Sequence, residues 1–407
     1  MKLHVVGGFL GSGKTTAITG ISTILMNKGK KVGVVTNDQG TYLVDTRFVE
    51  SNKIPTEEVT NGCFCCNFDS LSSKIEQLKE AAQPDYIFAE SVGSCTDIVA
   101  TVIKPMLIFK KELFSNITFS VFADSRLLLS FLRGDKLPFS DDIFYIYAKQ
   151  LEEADLLVVN KTDLLNKEEL EEIKELIGLK LTTSKILYQV SINENSLNNW
   201  LETIDTIKRQ KRESLAIDYD IYGKGEADLA WLDEEITIES ENRNATAFAY
   251  QLIEEILSLI RHHHFTIGHL KFMLIDQEWN QKISFTTISS ENVINKQLHH
   301  SSKQIKIMVN ARIETTPDQA KEIIKNAILA ISTPEITITE SNAIAFQPGY
   351  PNPTHRIIRS MPCCDDCQCI KRLNRLNNEG IDHNIDDQET AFTECLCECS
   401  EDEDCCC

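Results

Sequence analysis

Gly8-Phe9-Leu10-Gly11-Ser12-Gly13-Lys14-Thr15 fits G-x-x-x-x-G-K-[ST] and directly follows Leu3-His4-Val5-Val6, an apolar run that predicts a buried strand. Gly8, Gly11 and Gly13 permit backbone angles that a side chain would forbid, so consecutive amides around Ser12 can turn inward on phosphate oxygens. Lys14 is placed to reach the β- and γ-phosphates and Thr15 to ligate Mg²⁺. The helix expected to open at Thr16 points its positive end at the same anion. A glycine-rich turn without a ligand is the alternative, but strand, loop, Lys-Thr and helix stand here in the order that phosphate binding requires.

Working outward, 407 residues are long for one core, which predicts two domains and a tail. The net charge of -20 leaves no basic footprint and argues against nucleic acid or an anionic membrane as partner. No signal-like segment precedes the first strand, and no apolar run approaches the roughly 18 residues of a membrane span. The expectation is a soluble, cytoplasmic protein, in which the 14 cysteines serve as thiols or metal ligands and not as a disulfide framework.

Further polar segments follow apolar strands, at the carboxyl ends where open α/β sheets hold their ligands. KVGVVT (31–36) leads to Asn37-Asp38-Gln39-Gly40 and then Asp45. Asn61-Gly62-Cys63-Phe64-Cys65-Cys66 places three thiols within four residues, enough soft donors for one ion, with Gly62 easing the bend. Zn²⁺ takes four donors or keeps one position open, so Asp38 or another carboxylate is a plausible complement. Buried cysteines serving as small apolar residues are the alternative. The strand 86–89 ends in Glu90-Ser91-Val92-Gly93, where a carboxylate can face Mg²⁺ through water and the Gly93 amide can meet the γ-phosphate. Cys95 reads as packing unless a metal site includes it. Residues 97–118 read as helical with Pro105 interrupting, and 126–146 as a helical excursion or a mobile cover. The strand 156–159 delivers Asn160-Lys161-Thr162-Asp163, in which Asp163 can accept from the N1-H and exocyclic amine of guanine. Adenine lacks these donors, so GTP is favoured over ATP. Ser191 is a weaker candidate for a backbone contact to the base.

In this order, GFLGSGKTT, N-D-Q-G, G-C-F-C-C, E-S-V-G and N-K-T-D resemble the CobW-type metallochaperone GTPases, relatives of UreG and HypB, over about residues 1 to 200. The resemblance implies a G-domain with Glu90 in the Mg²⁺-facing motif, metal-responsive GTP hydrolysis, and a metal site on Cys63, Cys65 and Cys66. The family usually has N-E-F-G where this chain has Asn37-Asp38-Gln39-Gly40, a shorter carboxylate with a different reach toward a metal.

The implied organisation is an α/β P-loop GTPase domain with a mainly parallel sheet (1–204), a linker (205–228), a smaller α+β domain similar to the family's C-terminal domain (229–347), and a Cys-rich acidic tail (348–407). In the second domain His262-His263-His264 ends a helix, where imidazolium is favourable without a metal; His299-His300 reads likewise. From Cys363 onward there are ten cysteines (Cys363, Cys364, Cys367, Cys369, Cys395, Cys397, Cys399, Cys405, Cys406, Cys407) and thirteen acidic against three basic residues. The C-x-x-C and C-x-C spacings suit capture of a soft metal, and with almost nothing apolar after Asn377 the tail is expected to be disordered without metal. A solvated acidic tail, or an iron-sulfur cluster on the first four cysteines, are the alternatives.

Two functions follow. The first is a GTPase using GTP, Mg²⁺ and Zn²⁺ (or Co²⁺/Ni²⁺) as a metallochaperone or maturation factor for a client metalloprotein, with catalytic Lys14, Thr15 and Glu90. The second is a metal buffer dominated by its tail, with vestigial hydrolysis.

Overall fold

The computed structural model describes residues 1–359 apart from 38–39, 41–43, 61, 182–184, 208–212, 278, 287–299 and 342. Asp38, His299 and all ten tail cysteines therefore lie outside the described residues.

The first half alternates strand and helix: β1 (Lys2–Gly8), α1 (Lys14–Asn27), β2 (Val32–Asn37), α2 (Val44–Ser51), β3 (Thr56–Val59), α3 (Phe68–Ala82) and β4 (Tyr86–Glu90). It continues with α4 (Lys104–Phe109), β5 (Asn116–Asp124), α5 (Ser125–Arg133), α6 (Asp141–Glu153), β6 (Leu156–Asn160), α7 (Lys167–Lys180), β7 (Lys185–Tyr188) and α8 (Glu194–Thr206). The strands form one parallel sheet in the order β3-β2-β4-β1-β5-β6-β7. Parallel sheets need cover on both faces, which is why β1, β4 and β6 are apolar almost throughout. Leu3 and Val5 pack into the core beneath α3 and α5, whereas Val6 points into the core formed with α1 and α8.

Within 97–118, read as helical with an interruption at Pro105, a π-helical stretch Val99–Ile103 runs into α4, which ends at Phe109, and β5 begins at Asn116. Pro105 stands where the π-helical stretch passes into α4, and the Ala100 carbonyl, five residues before it, accepts from the Ile357 N–H at 3.0 Å. The segment 126–146 is the helical excursion, α5 and α6.

The stretch read as a linker carries a helix, α9 (Tyr219–Asp228), capped by Asp218, whose carboxylate accepts from the amides of Asp220 and Ile221. Gly223 and Gly225 read as breakers in the sequence, yet they permit close approach. A Cβ on Gly225 would stand 2.5 Å from the Asp142 carbonyl oxygen of α6. Tyr222 is buried there with Ile146 and Ile217.

The second sheet comprises β8 (Leu229–Glu239), α10 (Ala245–His262), β9 (Thr266–Ile275), β10 (Asn280–Phe285), β11 (Gln304–Glu314), α11 (Pro317–Ile331), β12 (Thr337–Glu340) and β13 (Ile344–Phe346). It is antiparallel, ordered β10-β9-β11-β8-β12, with β13 also pairing with β8. One face, including Leu270, Phe272, Leu274, Ile305, Ile307 and Val309, packs on α10 and α11. By strand alternation the other face carries Trp231, Asp233, His269, Lys271, Asn310 and Arg312, and it lies against the parallel sheet's ligand-bearing loops. Among the described residues no helix is long and apolar enough to cross a membrane.

After β13 the chain does not leave the molecule. Thr354 donates through its N–H to the Cys65 carbonyl oxygen (2.9 Å) and through its hydroxyl to that of Cys66 (3.0 Å). His355 is buried between Phe68 and Phe109, and Arg356 Nε donates to Asp97 Oδ2 at 2.7 Å. Lys104 Nζ donates to the carbonyls of Ile358 and Arg359. The part of the expected tail before residue 360 is thus a strap fastened across the first domain.

Candidate nucleotide and metal site

β1 ends at Gly8 and the phosphate loop turns directly into α1, which starts at Lys14, two residues before the expected Thr16. The loop opens on a cavity of about 420 Å³ that Thr16, Asn37, Glu90 and Gly93 also line. Lys14 Nζ donates to the Gly8 carbonyl at 2.6 Å and to that of Phe9 at 3.3 Å, which holds the ammonium over the cradle. Burial pulls its pKa down to about 8, so a bound anion would restore its charge. Thr15 Oγ1 donates to Glu90 Oε1 at 2.8 Å. Burial, and then the nearby Asp45, raise the pKa of Glu90. Ser12 Oγ and Glu90 Oε2 are buried with no hydrogen-bond partner among the described residues. Hydroxyl, carboxylate and ammonium in this arrangement fit a Mg²⁺-triphosphate, which supplies donors and acceptors for those atoms.

At the far end, Asn160 Nδ2 donates to the Ser12 carbonyl at 2.8 Å, and its Oδ1 accepts from the Ser191 N–H (3.1 Å) and hydroxyl (2.8 Å). Ser191 therefore buttresses Asn160. Lys161, at φ 61°, reaches the Gly11 carbonyl at 2.7 Å and Asp124 Oδ2 at 3.0 Å. Asp163 stands exposed in the single turn Thr162–Leu164.

Cys63, Cys65 and Cys66 converge, their sulfurs all within 4.8 Å of one another. The separations are 3.5 Å for Cys63–Cys66 and 3.7 Å for Cys65–Cys66. Tetrahedral Zn–S bonds of about 2.3 Å place sulfurs about 3.8 Å apart, so the donor set fits a thiophilic tetrahedral ion. The Cys63 hydrogen bond pushes the Cys66 thiol up to about 12. Cys95, read as packing, meets Cys63 and Cys65: burial opposes its thiolate, but hydrogen bonds from those two thiols outweigh it and bring Cys95 down to about 7. The three histidines at the end of α10 form no such group among the described residues. His262 and His263 meet edge to face, and His263 stacks on Phe265. His300 stacks on Trp279 and pairs with Asp276.

Sequence reasoning missed two sets of residues. The first is Asn37, which lines the nucleotide cavity and holds the cysteine loop: its Nδ2 donates to the carbonyls of Val59 (3.1 Å) and Gly62 (2.8 Å), and its Oδ1 accepts from the Phe64 N–H (2.9 Å). The second is the polar face of the antiparallel sheet. A Cβ on Gly40 would lie 1.4 Å from Asp233 Oδ2, so the last residue of the N-D-Q-G segment is seated on β8. Asp45 is paired with Lys271 and Lys282, the latter at 2.7 Å. The only sequence signal for these partners is the polar alternation of β8, β9 and β11, which does not say what the polar face meets.

The family model described as CobW/HypB/UreG, nucleotide-binding domain, matches residues 2–187. The zinc chaperone CobW of Sinorhizobium sp is 28% identical over 220 residues, covering 47% of this chain and 59% of that protein. The chain thus spans little more than half the length of that relative. The urease accessory protein UreG of Metallosphaera sedula is 32% identical over 177 residues, covering 40% of this chain and 72% of UreG. Among solved structures, the Zn(II)-bound YjiA GTPase from E. coli aligns with 82% of this chain and 99% of its own, at 14% identity and a TM-score of 0.35.

Proposed function

The chain belongs to the CobW/HypB/UreG family, and from that premise we propose that it is a metallochaperone GTPase that couples binding and hydrolysis of GTP to holding and releasing a transition metal for a client metalloprotein. GTP occupies the cradle of Gly8, Gly11, Ser12, Gly13, Lys14, Thr15 and Thr16, with Gly93 at the γ-phosphate and Asn160, Lys161 and Asp163 at the base end. Lys14 neutralises the β/γ oxygens, and Thr15 and Glu90 hold Mg²⁺, whose charge offsets that developing on the transferred phosphoryl group. Cys63, Cys65 and Cys66 take the cargo, Zn²⁺ or an ion of the Co²⁺/Ni²⁺ class, giving up thiol protons as they do so.

The observation that carries this reading is Asn37. One side chain stands on the wall of the nucleotide cavity and grips the cysteine loop on both sides of Gly62 and Cys63. A triphosphate that moves the end of β2 therefore moves the thiols. A metal buffer needs no such link, and the family model that matches this chain lies over residues 2–187, the nucleotide domain. The experiment is a titration of a chromophoric metal competitor with GTP, GDP or no nucleotide present. Tighter metal binding with GTP is expected; superimposable curves would overturn the coupling.

A further inference from the structure

Three thiols leave a tetrahedral ion one donor short, and among the described residues no histidine or carboxylate joins the group. Cys95, 2% exposed, meets the thiols of Cys63 and Cys65 and acts on Cys66 only at longer range. It arrives from a different element, the turn that leaves β4. Its N–H donates to the Val92 carbonyl at 3.1 Å, which curls the turn. Gln150 Nε2, from α6, donates to the carbonyls of both Gly93 (3.0 Å) and Cys95 (2.8 Å), so these two positions are held as one unit. Gly93 itself packs on Leu10 of the phosphate loop. Six consecutive residues, Glu90 to Cys95, thus begin at the expected Mg²⁺ position and end in the thiol cluster.

We propose that Cys95 is the fourth sulfur ligand of the metal site and the ligand through which the nucleotide acts on it. This rests on the function proposed above and narrows its cargo. A four-thiolate tetrahedral shell selects Zn²⁺ over Ni²⁺, which favours square-planar or tetragonal nitrogen and oxygen ligands. Cys63, Cys65 and Cys66 share one short loop and can hold an ion whatever the nucleotide. Cys95 joins or leaves with the Glu90–Gly93 segment, so its engagement makes the difference between a tightly and a weakly held ion. Closing the shell forms the bond from Cys95 Sγ to the ion and releases the one proton of that thiol to solvent.

The test uses the full-length chain with its ten tail cysteines changed to serine, loaded with one equivalent of Zn²⁺ in the presence of a non-hydrolysable GTP analogue. X-ray absorption at the metal counts the sulfurs. Four are expected in this parent and three after Cys95→Ser, with a loss of Zn²⁺ affinity no smaller than the roughly 10- to 100-fold that follows loss of an outer-shell partner. The affinity ratio between the GTP analogue and GDP should fall toward one. Three sulfurs in the parent would overturn the proposal without any change at Cys95, so a folding defect in the variant does not protect it. A Cys95→Ser protein with unchanged affinity would overturn it equally. Four sulfurs in the parent with equal affinity in both nucleotides would keep Cys95 as ligand and overturn the nucleotide coupling instead.

Discussion

Asp163 projects into solvent from the turn after β6, while Asn160 and Lys161 beside it are committed to the phosphate loop. The first two residues of the N-K-T-D segment thus brace the phosphate loop, and the proposed role of the fourth in reading the base can be tested separately. Asp163→Ala should reduce the preference for GTP over ATP by about 10- to 100-fold, since hydrogen bonds to a charged group contribute about 1.5–3 kcal/mol. Competition binding measures this, and an unchanged ratio would remove Asp163 from base recognition. His4, in β1, is a second residue whose burial has a measurable consequence. Its Nδ1 pairs with Thr118 Oγ1 at 2.6 Å, and burial, opposed by Asp205 and aided by Lys2, lowers its pKa to about 3. The unfolded chain takes up a proton below about pH 6.5 that the folded chain refuses until about pH 3, so stability falls on acidification across that window. Between pH 7 and pH 5 the loss from this residue is about 2 kcal/mol. Urea unfolding at the two pH values should show a smaller drop for His4→Asn than for the unaltered protein. The motifs that carry Lys14 and Asp163 stand out in the sequence because they are contiguous. Asn37 does not stand out, because its role depends on three carbonyl and amide partners that lie 22 to 27 positions further along the chain.

At the scale of elements, α2 is held by the second sheet. Burial opposes the charge of Asp45, in the first turn of α2, but Lys271 of β9 and Lys282 of β10 outweigh it and keep the carboxyl well below its usual range. All three side chains are 12–17% exposed, so the latch is screened only partly. Asp45→Asn leaves two lysines facing each other without a counter-charge and should cost about 1–3 kcal/mol, below the 3–5 kcal/mol of a fully buried pair. Adding Lys271→Met should recover part of that loss in denaturant unfolding. A change within about 0.5 kcal/mol for the single variant would exclude the latch. Helices α10 and α11 follow the apolar periodicity of their residues, and in the structure α11 starts behind Thr316 with Gln319 completing a capping box. Helix α9 was not readable, because glycine marks a breaker and a close contact with the same letter. The strap over 351–359 was also unreadable. Its residues are ordinary loop types, and what fixes them is the set of carbonyls and carboxylates that two other segments present.

For the whole molecule, two antiparallel and parallel layers meet across a nucleotide cavity whose floor is the phosphate loop and whose roof carries Lys271, Lys282 and Thr286. If nucleotide and metal are coupled, linkage requires the effect to be mutual. The factor by which GTP tightens Zn²⁺ should equal the factor by which Zn²⁺ tightens a non-hydrolysable GTP analogue. Paired titrations that give unequal factors would show that the two ligands do not share one equilibrium. The sequence alone determined the fold class, a parallel α/β domain followed by a smaller α+β domain, and the closeness of three thiols, because apolar periodicity and short ligand spacings are properties of neighbouring residues. Which surfaces face each other was decided only by the tertiary structure: Asn37 between cavity and thiols, Cys95 beside Cys63, Asp45 between two lysines, Thr354 on the cysteine loop. Burial and hydrogen bonding there depend on atoms brought together from distant parts of the chain, and a linear pattern carries no record of which distant atoms those are.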